Sequence, residues 1–585
     1  MCIRDRPRVE AIVGKKINNF TNQRIYADTY ARSKIKNKDI DISDIYRSLE
    51  KLLGITSSQA NRIKALEIGC ELSMARPREV ALDMLKFAKT KKLKIVLLSD
   101  MYLTKDVIKK MLNKVGISDL MYDELLVSSF TGMRKDSGSV YKYLLEKERS
   151  KKHFVIGDSL HSDVVVPLKN GFTSFHLPSK SDLIKRLFVK NNLSMLSFPL
   201  KENEISPAGL IAERLFCKTI SFQENLFSNQ KDIGYICFGP LLYQFIKKSH
   251  EIAVEMNIEK LLFLTREGVV FKKVYDLMKP RLKNPIDSSL LYASRVMSNS
   301  LQSGRPDFID QIIDSNLHFD GRIDEFFYGR LGYQLTDTDN KKLKSLQINL
   351  NTKYCLPKDR NLIVRVFKTL ESSILKTLNM QKKIFLNYLS HVVVEKSAVL
   401  DIGYSGTVQK NINSMISAKT FGLYIMSKSG HNDTDKTCMF NQYLGGSDRL
   451  KEVFLKYSIY YEALLTSSTP PIIAMDENEG GFKPRYMNCT YSSKYLELLN
   501  NVHDGILEFI SDVINRFDEL PDFNFESTLW TFKDFLDNPN SLSDIRLLLD
   551  LEMDDLYTGN NMLKFFDDPR FFQNLKFALE SKNEN

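Results

Sequence analysis

Leu93-Lys94-Ile95-Val96-Leu97-Leu98-Ser99-Asp100 is a short apolar, β-branched run that ends abruptly in a hydroxyl and a carboxylate. Its apolar positions do not alternate with polar ones, so both faces of the strand it predicts must be covered, as in a parallel sheet. Downstream the alternation continues. Thr104 to Val115 reads as a helix closed by Gly116, Glu124 to Ser129 as a second strand, and Ser139 to Lys147 as a helix. His153 to Ile156 reads as a third strand, Val164 to Lys169 as a helix stopped by Asn170-Gly171, and Phe172 to Leu177 as a fourth strand. Strands and helices at this spacing predict an α/β fold over 90–180 on a doubly wound parallel sheet.

Upstream, residues 1–89 read as helical. Ile12, Ile17, Phe20, Ile25 and Tyr26 recur at helical spacing, Ser43 reads as an N-cap before Asp44-Ile45-Tyr46, and Arg78 to Lys89 is amphipathic. Met1 to Arg6 has no structural logic and reads as an artefact of an assembled gene fragment. Residues 181–230 read as a helical connector and 231–470 as a second α/β domain. In that domain strands over Lys260–Leu264, Leu290–Ala293, Ala398–Leu400 and Phe421–Ile425 flank a mostly helical insertion at 305–395. After Pro470-Pro471, residues 471–585 read as mostly helical.

A chain of 585 residues is too long for one core. With 43% hydrophobic and 26% charged residues its composition is that of a globular protein. No apolar run is long enough for a membrane span, and no signal peptide is evident, so a cytoplasmic location is expected. Seven cysteines are scattered singly without a CxxC pair, and eight histidines show no metal-ligand spacing, which argues against a disulfide scaffold or zinc module. The net charge of +11 comes from lysines on polar helical faces; no nucleic-acid-binding pattern accompanies it, so no nucleic-acid partner is expected. It suits an anionic substrate by weak long-range attraction.

Three features of 90–180 stand in order at strand ends. Ser99 can donate a hydroxyl to a phosphoryl oxygen above a parallel sheet. Lys135, in Thr131-Gly132-Met133-Arg134-Lys135, can offset charge on that group. In Gly157-Asp158-Ser159-Leu160-His161-Ser162-Asp163, the glycine allows a tight turn, and Asp158 and Asp163 are oxygen donors of the kind Mg²⁺ prefers. This ordered set resembles motifs two, three and four of the haloacid-dehalogenase superfamily.

The resemblance implies a Rossmann-like core, a helical cap formed by 1–89, and an aspartyl-phosphate route with bound Mg²⁺. It gives Ser99 the phosphoryl group, Lys135 the orientation of the nucleophile, Asp158 the metal, and Asp163 support for the metal's surroundings. The implied substrate is a small phosphorylated metabolite. Motif one of that family, an apolar strand followed by DxDxT, is not found before Ser99. Asp5 has proline two positions on, and Asp39 and Asp41 read as helix-start residues. The expectation is therefore a gene truncated upstream and a chain inactive as it stands, or else a non-catalytic module that binds a phosphorylated ligand or a partner.

In the second half Arg266-Glu267-Gly268, Ser294-Arg295 and Asp401-Ile402-Gly403-Tyr404-Ser405-Gly406-Thr407 each follow a strand. Arg266, Arg295, Asp401, Ser405 and Thr407 form a candidate anion site, with transferase chemistry as its reading. The 401–407 loop resembles a phosphoribosyltransferase phosphate loop but lacks that family's acidic pair. The pairing of the two halves resembles large hydrolases predicted from bacterial surface-polysaccharide gene clusters, which makes a sugar phosphate one expected substrate.

Overall fold

A computed structural model describes residues 6–17, 19–35, 39–148, 152–190, 204–217, 227–427, 436–438, 448–524, 526–537 and 546–565. The readings made for Met1 to Asp5 and for the last twenty residues lie outside them. The chain forms two compact units, one of residues 1–189 and 200–224, the other of 190–199 and 225–585.

The first unit opens with helices α1 (Arg6–Val13), α2 (Phe20–Lys34), α3 (Ile42–Leu53), α4 (Ser57–Met74) and α5 (Glu79–Thr90). Asp41, rather than Ser43, caps α3: its carboxylate accepts the amides of Ser43 and Asp44, and Asp44 answers with a bond to the Asp41 amide. A hydroxyl already inside the first turn cannot reach the free amides that a residue before the helix can. Arg24 and Glu67 form a two-pronged ion pair at 2.7 and 2.8 Å inside this helical layer, and Glu67 also accepts the Tyr46 hydroxyl at 2.7 Å.

The α/β part follows: β1 (Val96–Ser99), α6 (Lys105–Lys114), β2 (Glu124–Val127), α7 (Ser128–Thr131), α8 (Ser139–Lys147), β3 (Phe154–Gly157), α9 (Val166–Lys169) and β4 (Thr173–His176), with α10 (Lys180–Lys190) and α11 (Ala208–Phe216) after it. Ser128 and Ser129 turn into α7 instead of extending β2. The strands do not make one doubly wound sheet. β1 pairs with β2 and β3 with β4, both parallel, as two separate pairs.

The apolar runs are continuous because both faces of β1 and β2 are used. Leu97, Leu125 and Val127 pack into the helical layer, while Val96, Leu98 and Leu126 join Val140, Tyr141, Val155 and Phe172 in a second core. The opposite face of the β3–β4 pair is bare, with Phe154, Ile156 and Phe175 exposed.

The second unit is built on one five-stranded, all-parallel sheet. Its strands are β5 (Lys260–Leu264), β6 (Asp287–Leu291), β7 (Ser397–Tyr404), β8 (Phe421–Ser427) and β9 (Lys436–Cys438), in the spatial order β9-β8-β7-β5-β6. Helices α12 (Gly239–Glu255) and α13 (Gly268–Met278) cover one face, where Phe263 meets Tyr275 and Phe245 meets Phe271. The other face packs Leu262, Leu264, Leu291 and Val399 against residues of α14 (Arg295–Ser300), a 33-residue α18 (Arg360–Val392) and α19 (Thr407–Asn413).

Between β6 and β7, α15 (Phe308–Asp314), α16 (Ile323–Leu331), α17 (Asp337–Ser345) and α18 share their own core. After β9 come α20 (Asp448–Lys456), α21 (Ser458–Leu465), the hairpin β10 (Ile472–Asn478)–β11 (Gly481–Tyr486), α22 (Ser493–Arg516), α23 (Glu526–Asp537) and a second hairpin, β12 (Glu552–Asp555)–β13 (Asn560–Lys564). The stretch after Pro471 is thus partly β where helix was expected; Ile472 to Met475 is a strand core with the prolines at its entrance. Among the described residues no helix is long and apolar enough to cross a membrane.

Candidate functional site

In the first unit the C-terminal ends of β1, β2 and β3 supply the candidate residues. Ser99 ends β1 opposite Val127 of β2, half-buried. Lys135 lies beyond α7, and its ammonium donates to Asp163 Oδ1 at 2.7 Å. Asp163 is buried, and its other oxygen accepts the Ser159 amide at 3.0 Å. Gly157 makes this possible: a Cβ there would lie 2.3 Å from the Asp163 carboxyl carbon.

Asp100, which the sequence reading passed over beside Ser99, accepts the Lys135 amide at 2.8 Å. Burial raises the Asp100 carboxyl above its ordinary value, against the pull of that amide, and Asp136 and Asp39 add to the rise. Burial raises the Tyr141 hydroxyl too, with Asp163 and Asp100 reinforcing it. Asp100, Lys135, Tyr141 and Asp163 therefore stand together.

Asp158 is placed differently. Its side chain is exposed, its carbonyl accepts from His176 Nε2 at 3.0 Å, and its charge is felt by Arg78. Both oxygens of Asp163 accept hydrogen bonds within the chain, from Lys135 and from the Ser159 amide, while the Asp158 carboxyl stays exposed. Among the described residues no three His, Cys, Asp or Glu side chains are grouped to hold a metal. Both upstream aspartates hold structural positions. Asp41 caps α3, and Asp39 is buried as the acceptor of Ser128, Arg32 and the Ile40 amide. The helix-start role expected of Asp39 gives way to this anchoring role.

In the second unit the structure brings Arg266, Arg295 and Asp401 into one neighbourhood, centred on Glu462 of α21, which local pattern had not marked. The Glu462 carboxyl is pushed up to about 7 by burial and by Glu267, against the pull of Arg266, Arg295 and a hydrogen bond from Tyr404. Asp401 is held well above the carboxylate range by burial, with Glu267 and Glu462 adding to it. Arg266 is ion-paired with Asp554, which also accepts the Tyr491 hydroxyl at 2.8 Å. Arg295 is exposed and lies 4.9 Å from the centre of the Tyr557 ring. Ser405 is exposed beyond β7, and Thr407 opens the short helix α19. With Arg266 already neutralised and three carboxyls around it, the cluster is acid-rich, which argues against the anion cradle expected there.

A separate cavity of about 340 Å³ is lined by residues of α14, α16, α18 and the β10–β11 hairpin, including Gln334, Gln381 and Arg485. None of the candidate residues lines it. No protein-family model matches the chain, and no curated protein sequence matches it.

Proposed function

We propose that the first unit is a phosphoryl-handling core of the haloacid-dehalogenase type, and that the protein acts as a Mg²⁺-dependent phosphatase on a small phosphorylated metabolite, a sugar phosphate being the expected class. The observation that carries this reading is the fixed ammonium of Lys135, held by Asp163 from one side and by Asp100 through its own amide, at the same strand ends as Ser99. An ammonium already oriented loses little freedom when a phosphoryl group arrives, and it offsets the charge that group brings. The Ser99 hydroxyl would donate to a phosphoryl oxygen.

A nucleophilic aspartate and a complete metal site are not among the described residues, so this half of the site binds and orients. Hydrolysis is tested on a chain extended upstream by an apolar strand ending in Asp-x-Asp-x-Thr, given sugar phosphates with and without MgCl₂. Mg²⁺-dependent release of inorganic phosphate, lost in Lys135→Ala, is the expected result; no release sinks the catalytic claim.

A second reading is favoured by the structural employment of Asp39 and Asp41: a non-catalytic module that binds a phosphorylated ligand. Sugar-phosphate binding that depends on Lys135, without turnover in the extended chain, distinguishes it.

A further inference from the structure

In the second unit the strand order reverses between β5 and β7: the chain leaves β5 for β6 on one side and enters β7 on the other. Loops leaving two such strands diverge and open a crevice beyond their carboxyl ends, where open parallel sheets bind ligands. Arg266 and Glu267 leave β5 at that point. Asp401 follows Leu400, the last residue of β7 paired with β5, and Glu462 enters from α21. We propose that this crevice binds a small neutral polyhydroxylated ligand of the monosaccharide class, whose hydroxyls donate to the carboxylate of Glu267 and accept from the carboxyl of Asp401.

Glu267 is the clearest pointer. Its side chain is 10% exposed, and the nearest cation is the adjacent Arg266 at 3.9 Å. Among the described residues it accepts no hydrogen bond, and yet its oxygens are not among the sealed, unsatisfied ones, so they reach open space. A carboxylate nine-tenths buried and unbonded is costly unless something else completes it. Its charge raises Asp401, Glu462 and Tyr404, which places it near all of them.

The chemistry of the ligand follows by comparison. Among the described residues these carboxyls form no group that could hold a metal ion. An anion is disfavoured because Arg266 is committed to Asp554. An ammonium is disfavoured because Asp401 and Glu462 respond to crowding by holding protons, which removes negative charge near neutrality. What remains is a mixture of carboxylate acceptors, protonated carboxyl donors and tyrosine hydroxyls, which matches a ligand that both gives and takes hydrogen bonds.

The test is ligand-observed saturation-transfer NMR on the full chain, titrated with glucose, galactose, mannose and N-acetylglucosamine. Inorganic phosphate and spermidine are the anionic and cationic probes. At least one sugar should bind in the millimolar range. Glu267→Gln, which keeps the shape of the side chain, should weaken it at least tenfold. Arg295→Ala, at an exposed position that tolerates truncation, should weaken it about threefold. The unliganded melting temperature of each variant reports whether it is folded. Silence from all four sugars, sugar binding unchanged in both variants, or binding of phosphate or spermidine that Glu267→Gln abolishes would each overturn the proposal. Phosphate binding that survives Glu267→Gln belongs to the first unit and leaves the sugar result to decide.

Discussion

The Ser128 hydroxyl donates to Asp39 Oδ2 at 2.6 Å across 89 positions of sequence. One end of this bond opens α7 at the tip of β2; the other lies just before α3, in the helical layer. Asp39 also accepts from Arg32 at 2.7 Å and is 5% exposed, so the helices are tied to the strand ends that carry Ser99 and Lys135 by a buried, fully used carboxylate. Asp39→Ala should cost about 2 kcal/mol of stability, because it leaves the buried Ser128 hydroxyl and the Ile40 amide without their acceptor, while Arg32 keeps Asp28. A chemical-denaturation midpoint checks it; a loss well under 1 kcal/mol would mean that the bond is incidental.

Lys135→Met tests the other side of the site. The methionine fills the volume but leaves Asp163, whose side chain is 3% exposed, with only the Ser159 amide as partner. An uncompensated carboxylate in that position takes up a proton, so the variant should be destabilised by about 3 kcal/mol at pH 8 and by less at pH 5. Urea midpoints at the two pH values make the comparison, and an equal loss at both would refute it.

Glu462 gives the second unit a pH signature. Its carboxyl holds a proton to about pH 7 in the folded protein, whereas in the unfolded chain it does so only to its ordinary value of 4.5. The folded state therefore binds the extra proton between those limits. The resulting stability is complete below about 4.5 and is lost as pH rises through about 7. Glu462→Gln removes the group, so the variant should gain on the parent by about 3 kcal/mol on going from pH 5 to pH 8. Parallel pH dependence of the two proteins would remove Glu462 from consideration.

Arg330 is completely buried, and no carboxylate pairs with it among the described residues. Its guanidinium donates instead to the carbonyls of Ile312, Ile313 and Asn316 at the end of α15, and to Tyr557, at 2.8 to 3.3 Å, with the Phe326 and Tyr557 rings stacked near it. Burial brings its pKa down to about 10, with Arg295 adding to the fall. The free carbonyls of a helix end are suited to a cation. Arg330→Lys should lose about 2 kcal/mol and Arg330→Met about 3, since one ammonium cannot span four acceptors and a thioether satisfies none. Equal stability of all three proteins by thermal melting would show that the carbonyls find other partners.

What the sequence made legible follows from how local each signal is. Lys260 to Leu264 reads as a strand without ambiguity because five residues between a helix and a Thr-Arg turn leave no alternative. β7 reads too short because Asp401, Gly403 and Tyr404 look like a loop, although Gly403 is extended by pairing with Met426. There φ is +126°, and a Cβ would stand 1.8 Å from the Met426 carbonyl oxygen, so only glycine fits. The strand ends bearing Ser99, Lys135 and Asp163 were visible as an ordered set. Asp39, Glu462 and Asp554 were not, since each reaches its partners from a distant segment with no periodicity of its own.

β7 outruns β5. Its last residues, through Gly403 and Tyr404, pair only with β8, while its final match with β5 is Leu400 to Phe263. This step makes the depth of the crevice a matter of strand length, and the parity of the strand decides which way its floor faces. Inserting a single residue between Leu400 and Asp401, or deleting Leu400, would carry the carboxyl to the opposite side of the sheet while leaving the composition of the segment nearly untouched. Substitutions can drift around such a floor, but a one-residue frame change within the strand should not be tolerated.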